Sequence, residues 1–368
     1  MTTSLRIDIV GGGIGGIALA ASLSRLGLRC QVFEQAPQLK AVGYGLTLQK
    51  NAIQALETVG LGDLTRRRGL RIDTGQIRQP GGRVLGRARV DLCAMHRATL
   101  LTALAEHVPT EWVHVGSRAT TATDADVVVA ADGLHSVFRT RIAAGEGRPR
   151  DCGYTAWRGL THRSPEIDRA IEAGVVSETW GRGLRFGVVP IDDDRIYWFA
   201  VSPVDPLRDA REAHAYLRTA LSGWHAPVAA LLDATPSDTI LESRIVDRLP
   251  IDRWHDDRVI LLGDAAHPMT PNLGQGGCQA IEDAVVLAHL LRACADGHFR
   301  RDQVALRYEA QRMRRVHDIV SQSFRLGSLA RRTNPAVVAI RDAVLRMNPS
   351  RVQERQLRDI VTFPGVAD

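Results

Sequence analysis

Lysine is almost missing from this 368-residue chain: Lys40 and Lys50 are the only two among 47 basic residues, so a formal net charge of +6 against 41 acids rests on arginine. A positive balance invites a nucleic-acid or membrane-surface partner. The arginines, however, are scattered from Arg6 to Arg358 with no long basic run, so a coding bias toward arginine accounts for most of the excess and no nucleic-acid partner is expected. Cysteine is scarce too. Cys30, Cys93, Cys152, Cys278 and Cys294 are odd in number and widely spaced, with no C-x-x-C pair, which excludes a disulfide framework and gives no sign of a metal site. A reduced, cytoplasmic chain with its cysteines in the core is expected. No apolar run approaches the ~18 residues of a membrane span, so no integral membrane segment is expected. Ile9 to Leu23 is small and apolar enough to imitate a signal peptide, but Asp8 precedes it, five glycines interrupt it and no small-residue cleavage site follows. Hydrophobic residues at 45% and charged residues at 24% exclude a disordered chain. At about 150 residues per domain the length predicts two domains, each able to bury a core.

Glycine, unlike lysine, is concentrated. Arg6 to Val10 reads as a buried strand, Gly11 to Gly16 as a glycine turn, Ile14 to Leu26 as a close-packed helix and Arg29 to Glu34 as a second strand. That is one βαβ unit and the start of a parallel sheet. Leu56 to Gly86 is choppy and reads as connecting structure; Leu100 to His107 reads as a helix, and Asp126 to Ala131 as a strand. From 151 to 248 short strands such as Arg185 to Val189 and Ile196 to Val201 predict a second, sheet-bearing domain. Arg258 to Gly263 returns to the first texture, followed by a helix from Gly276 to Leu291 with Ile281, Ala284, Ala288 and Leu291 on one face. Arg301 to Arg346 reads as two helices, with Met313, Val316, Val320 and Phe324 on one side and exposed arginines, among them Arg312, Arg314 and Arg315, on the other. The expected divisions are 1–150, 151–248, 249–300 and 301–368, the first domain being discontinuous.

Gly11-Gly12-Gly13-Ile14-Gly15-Gly16 is a G-x-G-x-x-G directly after a strand and opening a helix. Gly11 permits the tight turn, Gly13 lets the backbone approach a pyrophosphate, and Gly16 lets helix and strand pack closely. The helix start, with Ile14 and Gly15, offers N–H groups and partial positive charge to phosphates. Glu34, with Gln35 beside it, closes the next strand, where a carboxylate can accept both hydroxyls of an adenosine ribose. An acid there argues against a 2′-phosphate, so the dinucleotide is FAD or NAD.

The run from Arg258 through Gly263-Asp264-Ala265-Ala266-His267-Pro268 to Gly277 closely resembles the flavin-ribityl motif of the para-hydroxybenzoate hydroxylase-like, FAD-dependent aromatic monooxygenases. In that resemblance Gly263 and Pro271 belong to the motif and Asp264 holds a ribityl hydroxyl. Gly274, Gly276 and Gly277 turn bare N–H groups toward the flavin, and His267 is structural. Asp132-Gly133-Leu134-His135-Ser136-Val137-Phe138-Arg139 resembles the family's D-G-x-x-S-x-x-R element. It implies that Asp132 reaches FAD hydroxyls through water and that Arg139 offers a charge fork to a pyrophosphate. Arg97 matches an arginine at a helix start beside the flavin, Gly43-Tyr44-Gly45-Leu46 the segment whose backbone lies along it, and Tyr154 to Gly159 the entry to the substrate domain. The likeness is greatest to the zeaxanthin-epoxidase, urate-hydroxylase and 3-hydroxybenzoate 6-hydroxylase branch. One departure is the segment Gly116 to Ala125, shorter than the hairpin relatives carry, which predicts a thinner wall on the adenine side.

The resemblance implies an α/β fold: a glutathione-reductase-type Rossmann FAD-binding domain, an inserted α+β substrate domain and C-terminal helices. It implies a single-component monooxygenase in which NADPH or NADH reduces FAD, and O₂ forms a C4a-hydroperoxide that hydroxylates or epoxidises an electron-rich aromatic or polyene small molecule. No second G-x-G-x-x-G with a following acid is present, so the nicotinamide cofactor is expected to visit a surface groove transiently. Arg185 and Tyr197 match an arginine and a tyrosine used at the substrate by some members. A same-fold FAD reductase or dehydrogenase without oxygen insertion is the alternative; the halogenase signature W-x-W-x-I-P is absent, and a basic non-enzymatic binding protein is the blandest reading. Monomer and homodimer both remain open.

Overall fold

The computed structural model describes residues 5–39, 43–119, 123–205, 209–348 and 350–367. The apolar run of β1 (Ile7–Val10) leads through the glycine turn into α1 (Ile14–Arg25) and back out along β2 (Gln31–Glu34). α1 is so poor in large side chains that it lies almost on the sheet: an added Cβ at Gly16 would stand 2.0 Å from the Gly11 carbonyl oxygen. The chain then forms β3 (Gly45–Gln49), α2 (Lys50–Thr58), α3 (Asp63–Arg68), β4 (Leu70–Arg78), β5 (Val84–His96) and α4 (Arg97–Ala105). β6 (Val113–Val115), β7 (Val127–Ala130) and α5 (Val137–Ile142) follow. β8 (Arg150–His162), α6 (Pro165–Ala170), β9 (Val175–Trp180), β10 (Arg185–Pro190), β11 (Arg195–Ser202), α7 (Ala210–Ala220), α8 (Val228–Asp233) and β12 (Leu241–Asp247) come next. The chain ends with β13 (Val259–Leu261), α9 (Gly276–Ala295), α10 (Val304–Ala330), α11 (Pro335–Met347) and α12 (Ser350–Val361).

Two sheets result. The first has five parallel strands in the order β13-β7-β1-β2-β6, with Ile9 beside Val129 and Val129 beside Ile260 in its buried centre. The second has eight strands in the order β12-β8-β11-β10-β9-β4-β5-β3, antiparallel except where β4 meets β9. Leu56 to Gly86, expected to be connecting structure, supplies α3, all of β4 and the start of β5. The reason is visible in the burial: β4 buries only Ile72 and Gln76 along nine residues, so its alternation is too weak to announce a strand. The eight-stranded sheet therefore draws strands from both sides of residue 151.

Cys30, Cys93 and Cys278 are core residues, their thiols pushed up by burial to about 12, 11 and 12; Cys152 and Cys294 are only half-buried. Arg301 to Arg346 holds the two expected helices, α10 and α11, the break between them falling before Pro335 at the start of α11, which the Asn334 side chain caps; α12 follows beyond that span. Among the described residues no helix is long and apolar enough to cross a membrane.

Arg312 overturns the expectation of a solvated arginine face: it is 1% exposed. It shares a side of α10 with Tyr308 and Val316, one turn away in each direction, and that side packs on α9. Its Nε donates to Asp283 Oδ1 at 2.7 Å, one Nη to Glu282, and the other to Gln279 Oε1 at 2.6 Å. Arg315 is half-buried, donating to Glu282 and to the carbonyls of Ile360 and Thr362; Arg314 alone of the three is exposed. Burial by itself would raise the Asp283 carboxyl, but His267 and Arg312 hold it well below the usual carboxylate range, and Arg312 and Arg315 do the same for Glu282. Replacing Arg312 by Met strands two buried carboxylates, so urea unfolding at neutral pH should show a loss of about 3–5 kcal/mol. Because the acids' folded pKa values are depressed, the Arg312 contribution is complete above about pH 4 and fades as pH falls below it. The gap between wild type and variant should therefore narrow in acid.

Candidate active site

The carboxyl ends of the parallel strands face one side of the eight-stranded sheet across a cavity of about 600 Å³, within the usual range for a small-molecule site. One end of it is backbone. Gly13, Ile14 and Gly15 line it at the start of α1, Gly276 and Gly277 at the start of α9, and Gly263 and Asp264 just after β13. Neither helix start has a side-chain cap or an acid in its first turn among the described residues, so their N–H groups and positive dipole ends are left for a ligand. A Cβ added at Gly13, Gly133 or Gly277 would meet nothing within 4 Å, the signature of backbone facing open space rather than packed against protein. Gly274, at φ +65°, holds the left-handed turn that leads into α9. Asp264 and Pro271 are exposed and line the same cavity, as do Gly45 and Arg97.

Other expected residues stand behind this surface. Gly11 and Gly16 do not line the cavity; Gly11, at φ +109°, makes the turn, and a Cβ there would be 2.3 Å from the Ala131 carbonyl oxygen. Glu34 and Gln35 are also outside it. The Glu34 carboxylate accepts the Gly12 N–H at 2.6 Å and the Ala36 N–H at 2.7 Å, tying the end of β2 to the glycine turn. Asp132 accepts the Val137 N–H at 3.0 Å through one oxygen, while the other is buried with no partner among the described residues; burial pushes its carboxyl up. Its neighbour Gly133 lines the cavity.

Arg139 corrects the expectation of a charge fork for a pyrophosphate. It is 0% exposed, and its guanidinium donates to both Glu146 oxygens, to the Ala265 and Ala266 carbonyls and to the Leu249 carbonyl at 2.8 Å. It braces the Gly263 to Ala266 loop from the core side. His267, expected to be structural, pairs with buried Asp283, Nε2 to Oδ2 at 2.5 Å, so Nε2 is assigned the proton.

The other end of the cavity is a face of the eight-stranded sheet. Arg185, 2% exposed to solvent, donates to Glu178 through Nε and to Asn272 Oδ1 at 2.5 Å through Nη1. Asn272 is fixed in turn by its donations to the Tyr154 hydroxyl at 3.2 Å and the Ser323 carbonyl at 3.1 Å. Tyr197 lies over Gly45, whose Cβ would stand 2.4 Å from its ring; burial pushes the phenol up and nearby Arg158 opposes that. The structure thus brings Arg185 and Tyr197 into one cavity with the glycine helix starts. Glu178, Asn272, Arg158 and Phe199 line it too, with no role assigned from sequence. Asn272 comes from the turn before α9, whereas Glu178, Arg158 and Phe199 are put there by the β9–β10–β11–β8 register, which no local motif encodes.

Residues 85–323 match the family model described as an FAD binding domain, and residues 9–42 one described as an NAD(P)-binding Rossmann-like domain. The chain is 37% identical over 391 residues to aurachin C monooxygenase/isomerase of Stigmatella aurantiaca, covering 99% of this chain and 100% of that protein. It is 30% identical over 389 residues to 2-heptyl-3-hydroxy-4(1H)-quinolone synthase of Pseudomonas aeruginosa, covering 98% and 99%. The structure of Klebsiella pneumoniae HpxO complexed with FAD and uric acid superposes with a TM-score of 0.88 at 26% identity, over 99% and 98% of the two chains. A bare-backbone dinucleotide cradle facing a side-chain-lined cavity is the arrangement of a flavin-dependent oxidoreductase. More narrowly, the chain belongs to the FAD-dependent aromatic monooxygenases, the para-hydroxybenzoate hydroxylase-like family, with FAD as its cofactor and NAD(P)H as donor.

Two glycines of one turn should respond differently. Gly16→Ala forces a Cβ onto the Gly11 carbonyl and should lower the melting temperature of flavin-free protein. Gly13→Ala meets only open space and should leave that melting temperature unchanged while lowering the flavin retained on purification, read from the flavin-to-protein absorbance ratio.

Proposed function

We propose that the enzyme inserts one oxygen atom of O₂ into an electron-rich nitrogen heteroaromatic, by hydroxylation or epoxidation, with Arg185 and Tyr197 at the substrate. The observation that carries this reading is the continuity of one cavity from the glycine helix starts to the sheet face bearing those two side chains. Two relatives support the substrate class by their own names, one a quinolone synthase and one a structure holding uric acid; both ligands are flat rings with ring nitrogen, which favours such a ring over a polyene.

FAD fits the residues present. The start of α1, with Gly13, Ile14 and Gly15, would take the pyrophosphate. Glu34, and Asp132 through its partnerless oxygen, would serve hydroxyls on the dinucleotide side, and Asp264 the ribityl chain. Gly45, Arg97, Pro271, Gly274, Gly276 and Gly277 would border the ring system. When bound, FAD accepts a hydride from NAD(P)H and activates O₂. The chain's own contribution is orientation and polarity. Arg185 is fixed by Glu178 and Asn272, so the substrate meets a guanidinium that needs no reorganisation. Tyr197 presents a phenol kept protonated by burial, able to donate to an oxygen that gains negative charge.

The test is substrate-stimulated NAD(P)H oxidation by the FAD-loaded enzyme, with 4-quinolone as probe and isotopically labelled O₂. One labelled atom in the product is expected. Oxidation with no label in any product supports the reductase alternative instead. Arg185→Gln and Tyr197→Phe should each lower product formation about tenfold or more, the worth of a hydrogen bond involving a charge, with flavin content retained; unchanged turnover in both removes the pair from the reaction.

A further inference from the structure

Leu241, Arg158, Phe199, Gly187 and Glu178 stand in one line across the sheet, one residue each from β12, β8, β11, β10 and β9. Residues directly opposite in register point to the same face, and Arg158, Phe199 and Glu178 all line the cavity. Gly187 has no side chain, and the Phe199 ring fills the vacant place: a Cβ on Gly187 would stand 2.1 Å from a ring carbon. The line therefore reads guanidinium, aromatic ring, carboxylate. Neighbouring strands are about 4.8 Å apart, so the two charged residues start about 14 Å apart at the backbone. The cavity that Arg158, Phe199 and Glu178 line lies within that span, over the Phe199 ring.

The two ends differ in hydrogen-bonding sense. Arg158 gives Nη1 to Ser243 Oγ at 2.5 Å on β12 and faces the Tyr197 hydroxyl on β11, which leaves at least three of its five N–H donors. Glu178 accepts from Arg185 through Oε1, and its Oε2 has no partner among the described residues. Arg185 cancels the charge of Glu178 without occupying that second oxygen. What remains is a hydrogen-bond acceptor at one end, donors at the other, and an aromatic surface between them on which a ring can stack.

We propose that Glu178 and Arg158 are the specificity-determining pair of this enzyme. Glu178 Oε2 accepts the ring N–H, and Arg158 donates to the carbonyl oxygen, of a neutral planar N–H heteroaromatic ketone lying on Phe199. This rests on the nitrogen-heteroaromatic reading above and narrows it: the ring carries its donor and its acceptor at opposite ends, and no carboxylate at the Glu178 end, where it would meet an oxygen lone pair.

The test uses the FAD-loaded full chain and two probes, 4-quinolone and N-methyl-4-quinolone, which differ only in the ring donor. Binding is followed by the flavin spectrum and by stimulated NAD(P)H oxidation. In the wild type, N-methylation should weaken binding about tenfold or more, the cost of losing a hydrogen bond to a charged acceptor. In Glu178→Gln the amide oxygen can still serve Arg185, but an NH₂ replaces the free acceptor. 4-Quinolone should then lose about tenfold, and the two probes should bind within about threefold of each other. Arg158→Met should weaken both probes alike, with flavin content unchanged. A wild type that binds both probes equally overturns the assignment alone, and so does a Glu178→Gln enzyme that keeps the full preference for the N–H ring. A wild type that responds to neither probe overturns the nitrogen-heteroaromatic reading itself, and this assignment with it.

Discussion

The carboxylate of Asp283 is the point on which the rest of the architecture hangs. One of its oxygens takes the Gly263 N–H at 3.1 Å and His267 at 2.5 Å; the other takes Arg312 at 2.7 Å. Those three bonds come from the loop after β13 and from α10, and the acid itself stands on α9, so one fully buried charge fixes three pieces of chain at once. A carboxylate in that position is tolerable only if its hydrogen bonds and its counter-charge are all present. Glu282, the next residue, extends the network outward: it accepts from Arg312, Arg315 and Asn51, and Asn51 in turn donates to Gln275 at the start of α9. The cavity's backbone end thus inherits its geometry from charges that never touch it.

This explains what the arginines are for. The near absence of lysine first looks like a surface property, yet Arg139, Arg185, Arg312 and Arg341 are all buried. Each spreads its donors over several acceptors at fixed angles, as Arg139 does over Glu146, Ala265, Ala266 and Leu249. An ammonium on a flexible stem cannot brace a loop in this way. A net charge of +6 on the whole chain therefore says little about partners, because some of these arginines are internal and matched by buried acids, as Arg312 is by Glu282 and Asp283.

What was legible in the sequence was whatever is coded locally. The turn at Gly11 to Gly16, its strand and helix, and the run from Gly263 to Gly277 are each continuous in the chain, and their glycines act through backbone that adjacent residues position. Arg312 reads as solvated because it is charged and sits on a helix, and Arg139 as a ligand for pyrophosphate because the resemblance aims it there; nothing in the flanking residues reveals the carboxylates that await Arg312 or the Ala265, Ala266 and Leu249 carbonyls that await Arg139. β4 escaped notice for a related reason. Half-exposed on an arginine-rich stretch, it is a strand because β5 and β9 lie beside it, not because its own pattern demands one.

The two ends of the cavity consequently differ in how they can change. The backbone end depends on glycines and helix starts, which leave little freedom: a Cβ at Gly16 or Gly11 collides with main chain. The sheet end depends on side chains brought together by register across β8, β9, β10 and β11, where a substitution alters the hydrogen-bonding sense of one position without moving its neighbours, although a slip of one residue would turn the whole set to the other face. Gly187 marks the limit of that freedom. It is the one place in the row where main chain, rather than side chain, sets the shape, because only there must the backbone make room for an aromatic ring. A family that keeps its cofactor chemistry while varying its substrates is what this division of labour produces. The part that must be rigid is written in contiguous glycines, and the part that varies is written in single residues separated by whole strands.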